Sequence, residues 1–271
     1  MVILLKTVFL GILQGTTEFL PVSSSGHLLI GQYLMKFPTV DLSLSIVLHV
    51  GTLFAIVLYL YPLWSRLLAD GRNIIARKLK VVESGWLMVV HAMLGTVPAV
   101  LYVLLLKDYV SPLSVMPLVA GICFLVNAAF LWHSKKLLYS KAKKTMTVWD
   151  ALIIGAAQCV ALFPGISRSG VTICTALMLG IEPRKAFYFS FLLAIPAILG
   201  AFVFDLSDWG GISSAVLIQY GIGMCVSALV GVFSLKFLDR LVARRQLYIF
   251  APYCAVLGVA ILGYLAYNFF V

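Results

Sequence analysis

Six stretches of this 271-residue chain run for nineteen residues or more without a Lys, Arg, Asp or Glu: Leu42–Trp64, Ser84–Leu106, Pro112–Ser134, Ala186–Phe204, Trp209–Leu235 and Gln246–Val271. A membrane-crossing helix needs about 20 mostly apolar residues. Lipid offers no partner to a free N–H or C=O, so only helices and closed barrels span it. A barrel would show alternating strands of about ten residues, which are absent here. The chain is therefore expected to be an all-α integral membrane protein with six transmembrane helices. Its composition, 62% hydrophobic and 11% charged, stands against roughly 45–50% and 25% in soluble domains. It excludes a soluble enzyme, a disordered chain and a nucleic-acid partner. The five cysteines all lie in apolar stretches with no CxxC spacing and read as small buried hydrophobes. Met1–Leu13 lacks a basic leader and an Ala-x-Ala site and reads as mature chain.

Two further apolar stretches each carry one charge, Glu18 in Thr7–Met35 and Arg168 in Ala151–Ile181. Breaker clusters, Pro21–Gly26 and Pro164–Gly170, interrupt them centrally. Non-helical backbone at membrane depth must be buried in protein or face a watery cavity. Both stretches are thus expected to be re-entrant helix–loop–helix hairpins. Basic residues set the orientation. Arg66 to Lys80, Lys135 to Lys144, and Lys236 to Arg245 form three basic clusters, with Arg184 and Lys185 after the second hairpin; the opposite loops carry little, Lys107 with Asp108 and Asp205 with Asp208. The positive-inside rule puts the basic loops in the cytoplasm. Both termini then lie outside, and the hairpins enter from opposite faces to meet near the midplane.

The hairpins match each other at an offset of 144 residues: Gly11 with Gly155, Gln14 with Gln158, Phe19 with Phe163, and Ser23, Ser25 and Gly26 with Ser167, Ser169 and Gly170. After a one-residue slip, Ser45 matches Ser190 and Leu48 matches Leu193. One membrane domain over residues 1–271 is expected, with repeat 1 over 1–134, a cytoplasmic linker over 135–147 and repeat 2 over 148–271. Each half holds three spans, an odd number, so the halves would be inverted, as in many transporters.

The two breaks concentrate chemistry. Charges within a bilayer are expensive, which makes Glu18 and Arg168 functional candidates, although an ion pair holding two loops is an alternative. Arg168 offers a planar fork for phosphate oxygens. Ser23, Ser24, Ser25, Ser167, Ser169, Thr172 and the Gly170 amide make an anion cradle, or else satisfy backbone groups freed at the breaks. Glu18 suits a hard divalent cation or a base. His27 suits a base, acid or nucleophile. Gln14 lies one turn before Glu18 and supplies only an amide oxygen. His49 and His91, inside apolar spans, are expected to be packed or hydrogen-bonded, and His133 structural.

Gln14-Gly-Thr-Thr-Glu18-Phe-Leu-Pro-Val-Ser-Ser-Ser-Gly-His27 and Phe163-Pro-Gly-Ile-Ser-Arg-Ser-Gly-Val-Thr172 resemble the two signature motifs, (E/Q)xxxE and PGxSRSxxT, of the bacterial undecaprenyl-diphosphatase family, also called the bacitracin-resistance proteins. Length and span layout extend the resemblance over essentially the whole chain. It implies a multi-pass enzyme of the bacterial inner membrane whose active site opens to the periplasm. The implied reaction turns the C55 isoprenoid diphosphate into the monophosphate, recycling the carrier for cell-wall synthesis and conferring bacitracin resistance. It also implies a divalent cation, Mg²⁺ or Ca²⁺, held by Glu18 and Gln14. Gln14 stands where many members have a second Glu, which removes an anionic ligand. By the same resemblance Ser24 and His27 are nucleophile and base, or His27 activates water. Ser167, Arg168, Ser169 and Thr172 would bind phosphate. Another lipid-phosphatase superfamily with Ser-Gly-His and Ser-Arg elements is disfavoured, because residues 170–180 contain no His or Asp. The partners expected are the polyprenyl diphosphate and membrane lipid, with a homodimer left open. The rival class is a polyprenyl-phosphate flippase or small-solute transporter built on the inverted repeat.

Overall fold

The computed structural model describes residues 2–36, 41–81, 84–139, 145–205 and 213–270. Lys141, Lys143 and Lys144 of the linker, Asp208 and the start of the run at Trp209 lie outside the described residues, as do Met1, Val271 and the side chains of Lys107, Asp108 and Asp205. Every regular element described is helical: α1 (Val2–Thr17), α2 (Ser24–Leu34), α3 (Leu42–Tyr59), α4 (Tyr61–Ile75), α5 (Trp86–Ser114), α6 (Pro117–His133), α7 (Val148–Gln158), α8 (Arg168–Met178), α9 (Pro183–Asp205), α10 (Ser214–Ala243) and α11 (Ala251–Phe270). Six of them, α3, α5, α6, α9, α10 and α11, are long and apolar enough to cross a membrane. The chain is a multi-pass membrane protein.

Proline sets several boundaries that charge alone misplaces. The run Leu42–Trp64 divides at Leu60, and α4 starts just before Pro62, whose fixed φ suits a first turn. A new span was expected at Pro112, yet α5 runs through it to Ser114. The break falls instead at Met116, held extended (φ −91°, ψ 118°) by the following Pro117 at the start of α6. Helix α10 likewise continues past Leu235 to Ala243, carrying Lys236, Asp239 and Arg240.

The two interrupted stretches each form two short helices, with the breaks slightly N-terminal to the clusters read from sequence. Helix α1 ends at Thr17, and Ser23 caps α2 by accepting the Gly26 N–H at 3.4 Å. Ser24 to Gly26 therefore make a helical first turn, and the break covers residues 18–23. In the second stretch, α7 tightens into the 3₁₀ turn Cys159–Leu162. Ser167 then caps α8 by accepting the Gly170 N–H at 3.1 Å, so Arg168 to Gly170 are helical rather than part of the break. In both, a serine hydroxyl satisfies an orphan N–H at a helix start.

The halves of the chain pack through one another. Helices α1 and α3 lie on α10, α7 and α9 lie on α5, and α6 lies on α11. Two matched glycines are among those that permit these close approaches. A Cβ on Gly11 would stand 2.8 Å from the Gly223 carbonyl of α10, and one on Gly155 would collide with the Gly95 backbone of α5. Beneath the breaks, Phe19, Phe187 and Phe191 are fully buried, with ring centroids 5.5 Å (Phe19–Phe191) and 4.7 Å (Phe187–Phe191) apart.

Gly155→Ala should force α7 from α5 and lower stability by about 1–3 kcal/mol, the usual cost of overpacking. Thermal unfolding in detergent should show a lower melting temperature, whereas Gly263→Ala, with nothing within 4 Å of the added carbon, should be neutral. An unchanged melting temperature for Gly155→Ala would refute the close approach.

Candidate active site

The two breaks touch, and their own polar atoms hold them together. Ser23 Oγ accepts the Gly165 N–H at 2.9 Å. Ser167 and Ser169 each place a hydroxyl 3.4 Å from the Leu20 carbonyl. From α6, Asn127 spans both breaks, donating to the Pro21 carbonyl at 3.0 Å and accepting the Ser167 N–H at 3.1 Å. Backbone shape makes this contact close. Gly165 has φ +102°, where an L side chain is strained, and an added Cβ there would also meet the Ala120 carbonyl. Ser23 holds φ +66°, a conformation uncommon outside glycine and frequent at functional sites.

This contact sets Glu18, the first residue past α1, opposite Arg168, the first residue of α8. Arg168 Nη2 pairs with Glu18 Oε1. Glu18 Oε2 receives the Ser24 hydroxyl at 2.5 Å and the Gln14 amide at 3.0 Å, and lies 3.2 Å from His49 Nε2. The opposite ring nitrogen of His49 lies 2.7 Å from the Ser45 carbonyl, which can only accept, so Nδ1 carries a hydrogen. A carboxylate buried among an arginine, a histidine, a hydroxyl and an amide suits anionic chemistry. The Arg168 side chain, 19% exposed against 4% for Glu18, is the more accessible of the pair.

The cluster forms one wall of a cavity of about 560 Å³. Glu18, Ser23, Ser24, Ser25, His49, Thr96, Gln158, Ser167 and Arg168 supply its polar lining. The remainder is apolar: Ala99, Val100, Val103 and Leu104 from α5, Ala161 and Leu162 after α7, and Pro196, Ala197, Gly200, Ala201 and Phe204 along α9. A charged group at one end and a long apolar chain along the other would both be accommodated.

Not all the residues expected from sequence reach this cavity. Gln14, Ser24 and Arg168 each bond Glu18; Glu18, Ser24 and Arg168 line the cavity with Ser23, Ser25 and Ser167, and Gln14 does not. Thr172 instead bonds the Arg168 carbonyl at 2.8 Å and Ser190 at 2.6 Å. The Gly170 N–H is taken by Ser167, and Ser169 is spent on Ser167 and Leu20. These three hold α8 in place rather than line the cavity. His27 corrects an expectation too. It is not set against Ser24: its Nδ1 lies 2.7 Å from the Ser23 carbonyl and its Nε2 2.6 Å from the Tyr253 hydroxyl, with the two rings stacked. The group that accepts the Ser24 proton bond is Glu18.

Sequence reasoning read His49 only as packed or hydrogen-bonded, noted Gln158 only as the match of Gln14, and passed over Asn127. Each carried a signal, a hydrogen-bonding side chain inside an apolar run, where partners must come from neighbouring helices. As for a divalent cation, no group of three or more His, Cys, Asp or Glu side chains gathers among the described residues. The orphaned, buried Oε1 of Gln14 is nevertheless a hard oxygen donor beside Glu18. One carboxylate and one amide oxygen, completed by substrate phosphates and water, are adequate for Mg²⁺.

The chain is similar to curated undecaprenyl-diphosphatases. It is 36% identical over 260 residues to that of Halothermothrix orenii, covering 95% of this chain and 96% of the relative. Identity is 37% over 261 residues with that of Treponema denticola, covering 94% and 95%. With undecaprenyl-diphosphatase 1 of Bacillus cereus (strain ATCC 14579) it is 32% over 263 residues, covering 96% and 97%. The family model described as bacitracin resistance protein BacA matches residues 7–260, a span holding both breaks and the cavity, and the chain belongs to that family.

Proposed function

We propose that this chain hydrolyses undecaprenyl diphosphate to undecaprenyl phosphate and inorganic phosphate, returning the lipid carrier to cell-wall polymer synthesis and so conferring bacitracin resistance. The observation that carries this reading is the Ser24–Glu18–Arg168 constellation at the polar end of a cavity whose other walls are apolar. Phosphoryl transfer depends mainly on positioning and on stabilising charge over the transferring oxygens. The Arg168 guanidinium, with its fork of donors, leaves Glu18 for the terminal phosphoryl oxygens. Glu18 is then free to take the Ser24 proton as Oγ attacks the terminal phosphorus. The bond from that phosphorus to the bridging oxygen breaks, and undecaprenyl phosphate departs with the electron pair. Water then attacks the phosphoserine, which releases inorganic phosphate and restores Ser24 when Glu18 returns its proton. His27 is a positioning residue that fixes the Ser23 carbonyl and hence the start of α2.

Glu18 and the Gln14 Oε1 would hold a divalent cation, Mg²⁺ or Ca²⁺. When bound it supplies Lewis-acid neutralisation of the diphosphate. The site belongs to two re-entrant hairpins, one from each half of an inverted repeat (residues 1–134 and 148–271) within one membrane domain. The matched motifs at an offset of 144 residues and the packing of each half through the other support this. The protein sits in the bacterial cytoplasmic membrane with both termini and the site's opening on the periplasmic side.

Purified protein should release phosphate from undecaprenyl diphosphate, lose that activity to a chelator and regain it with added Mg²⁺. No release under any metal condition would overturn the reading. Arg168→Lys keeps the charge but loses the fork, so kcat/KM should fall at least ~10²-fold, about 3 kcal/mol. Near-wild-type kinetics would reduce Arg168 to a structural ion-pair partner. A carrier built on the same repeat would expose the site to each face in turn. Ser25→Cys, in an otherwise Cys-free background, should react with an impermeant thiol reagent from the periplasmic side alone; labelling from both faces would favour the transporter.

A further inference from the structure

Gln158 ends α7 with its side chain in the cavity wall, 5% exposed, and neither its Nε2 nor its Oε1 has a hydrogen-bond partner. A buried primary amide with nothing to bond carries the full cost of its desolvation, and native structures rarely leave one so without a reason. The matched residue in the first half shows what is missing. Gln14 donates to Glu18 at 3.0 Å and lies 3.4 Å from Thr52 Oγ1. The residue 144 places after Glu18 is Leu162. At the 145-residue offset that pairs Ser45 with Ser190, the residue matching Thr52 is Ala197. Both replacements are apolar, and both line the cavity beside Gln158. The amide cannot withdraw, because the contact of Gly155 with Gly95 fixes α7 on α5 one turn earlier.

We propose that Gln158 binds the phosphate that stays on the lipid, its amide N–H donating to a non-bridging oxygen of the prenyl-bearing phosphate. The inference rests on the diphosphatase reading and deepens it. A diphosphate presents two phosphates. Arg168, Ser24 and the serines beside them serve the terminal one. The prenyl-bearing phosphate must lie between that cluster and the apolar chain. Gln158 lines the cavity that holds both ends: Ala161 and Leu162 follow it in the chain and in the apolar lining, and Thr96 precedes the α5 row Ala99, Val100, Val103 and Leu104. The same contact survives in the product, so Gln158 sets affinity for substrate and product alike and leaves the bond-breaking step to others. It is a substrate-binding residue.

Gln158→Leu and the near-isosteric Gln158→Met test this by steady-state kinetics and thermal unfolding on the same detergent-purified samples. KM for undecaprenyl diphosphate should rise at least about 10-fold, the loss of a hydrogen bond to a charged group, with kcat within about 3-fold of wild type. The inhibition constant of undecaprenyl phosphate should rise by the same factor, while that of inorganic phosphate stays put. Because the amide has no partner in the protein, neither variant should melt below wild type. An unchanged KM in both variants, or a shift in the inorganic-phosphate constant instead, overturns the assignment. Loss of folding in both variants overturns it as well, since it would show a structural partner for the amide. Absence of phosphate release by the wild-type protein brings down the diphosphatase reading and this inference together; release by wild type with unaltered variant KM brings down this inference alone.

Discussion

The ion pair between Glu18 and Arg168 is the constraint around which the rest is arranged. Two opposite charges inside a hydrophobic protein survive only if each finds the other and their remaining bonding capacity is filled. The structure meets both conditions. Ser24, Gln14 and His49 surround the carboxylate, while capping serines and Asn127 absorb the backbone groups that the two helix breaks release. The pair forms where the breaks touch, a contact held by Ser23, Ser167 and Asn127 and made close by the left-handed Gly165 against Ala120.

The packing that delivers the breaks to one another uses one solution twice. Gly11 meets α10 through Gly223, and Gly155 meets α5 through Gly95. Small residues at such crossings let backbones approach where lipid offers no hydrophobic driving force. The matched positions nevertheless carry different chemistry. At the 144-residue offset, Ser24 stands opposite Arg168, Glu18 opposite Leu162, and His27 opposite Val171. One half carries the carboxylate and hydroxyl, the other the guanidinium, and both contribute apolar lining. The cavity between them is amphipathic.

The apolar wall is supplied by both halves. Two spans with internal prolines, α5 with Pro98 and α9 with Pro196, line the cavity beyond the charged cluster. Among the described residues, neither helix puts a charged side chain on that surface, which leaves the wall beyond the cluster apolar.

Span number, the helical class, the two interrupted stretches and the pairing candidates Glu18 and Arg168 were legible in the sequence. Each rests on a local rule: the absence of charge over a membrane thickness, the breaking power of proline and glycine, and the expense of a lone intramembrane charge. Tertiary structure decided what depends on distance between chain-remote atoms. It turned His27 to Tyr253 and away from Ser24, set Glu18 as acceptor for the Ser24 hydroxyl, brought His49 to that carboxylate, and left Ser169, Gly170 and Thr172 to hold α8. No local pattern distinguishes a histidine packed in a span from one facing a carboxylate 31 residues away in the chain. That distinction comes from which helices cross, and at which glycine.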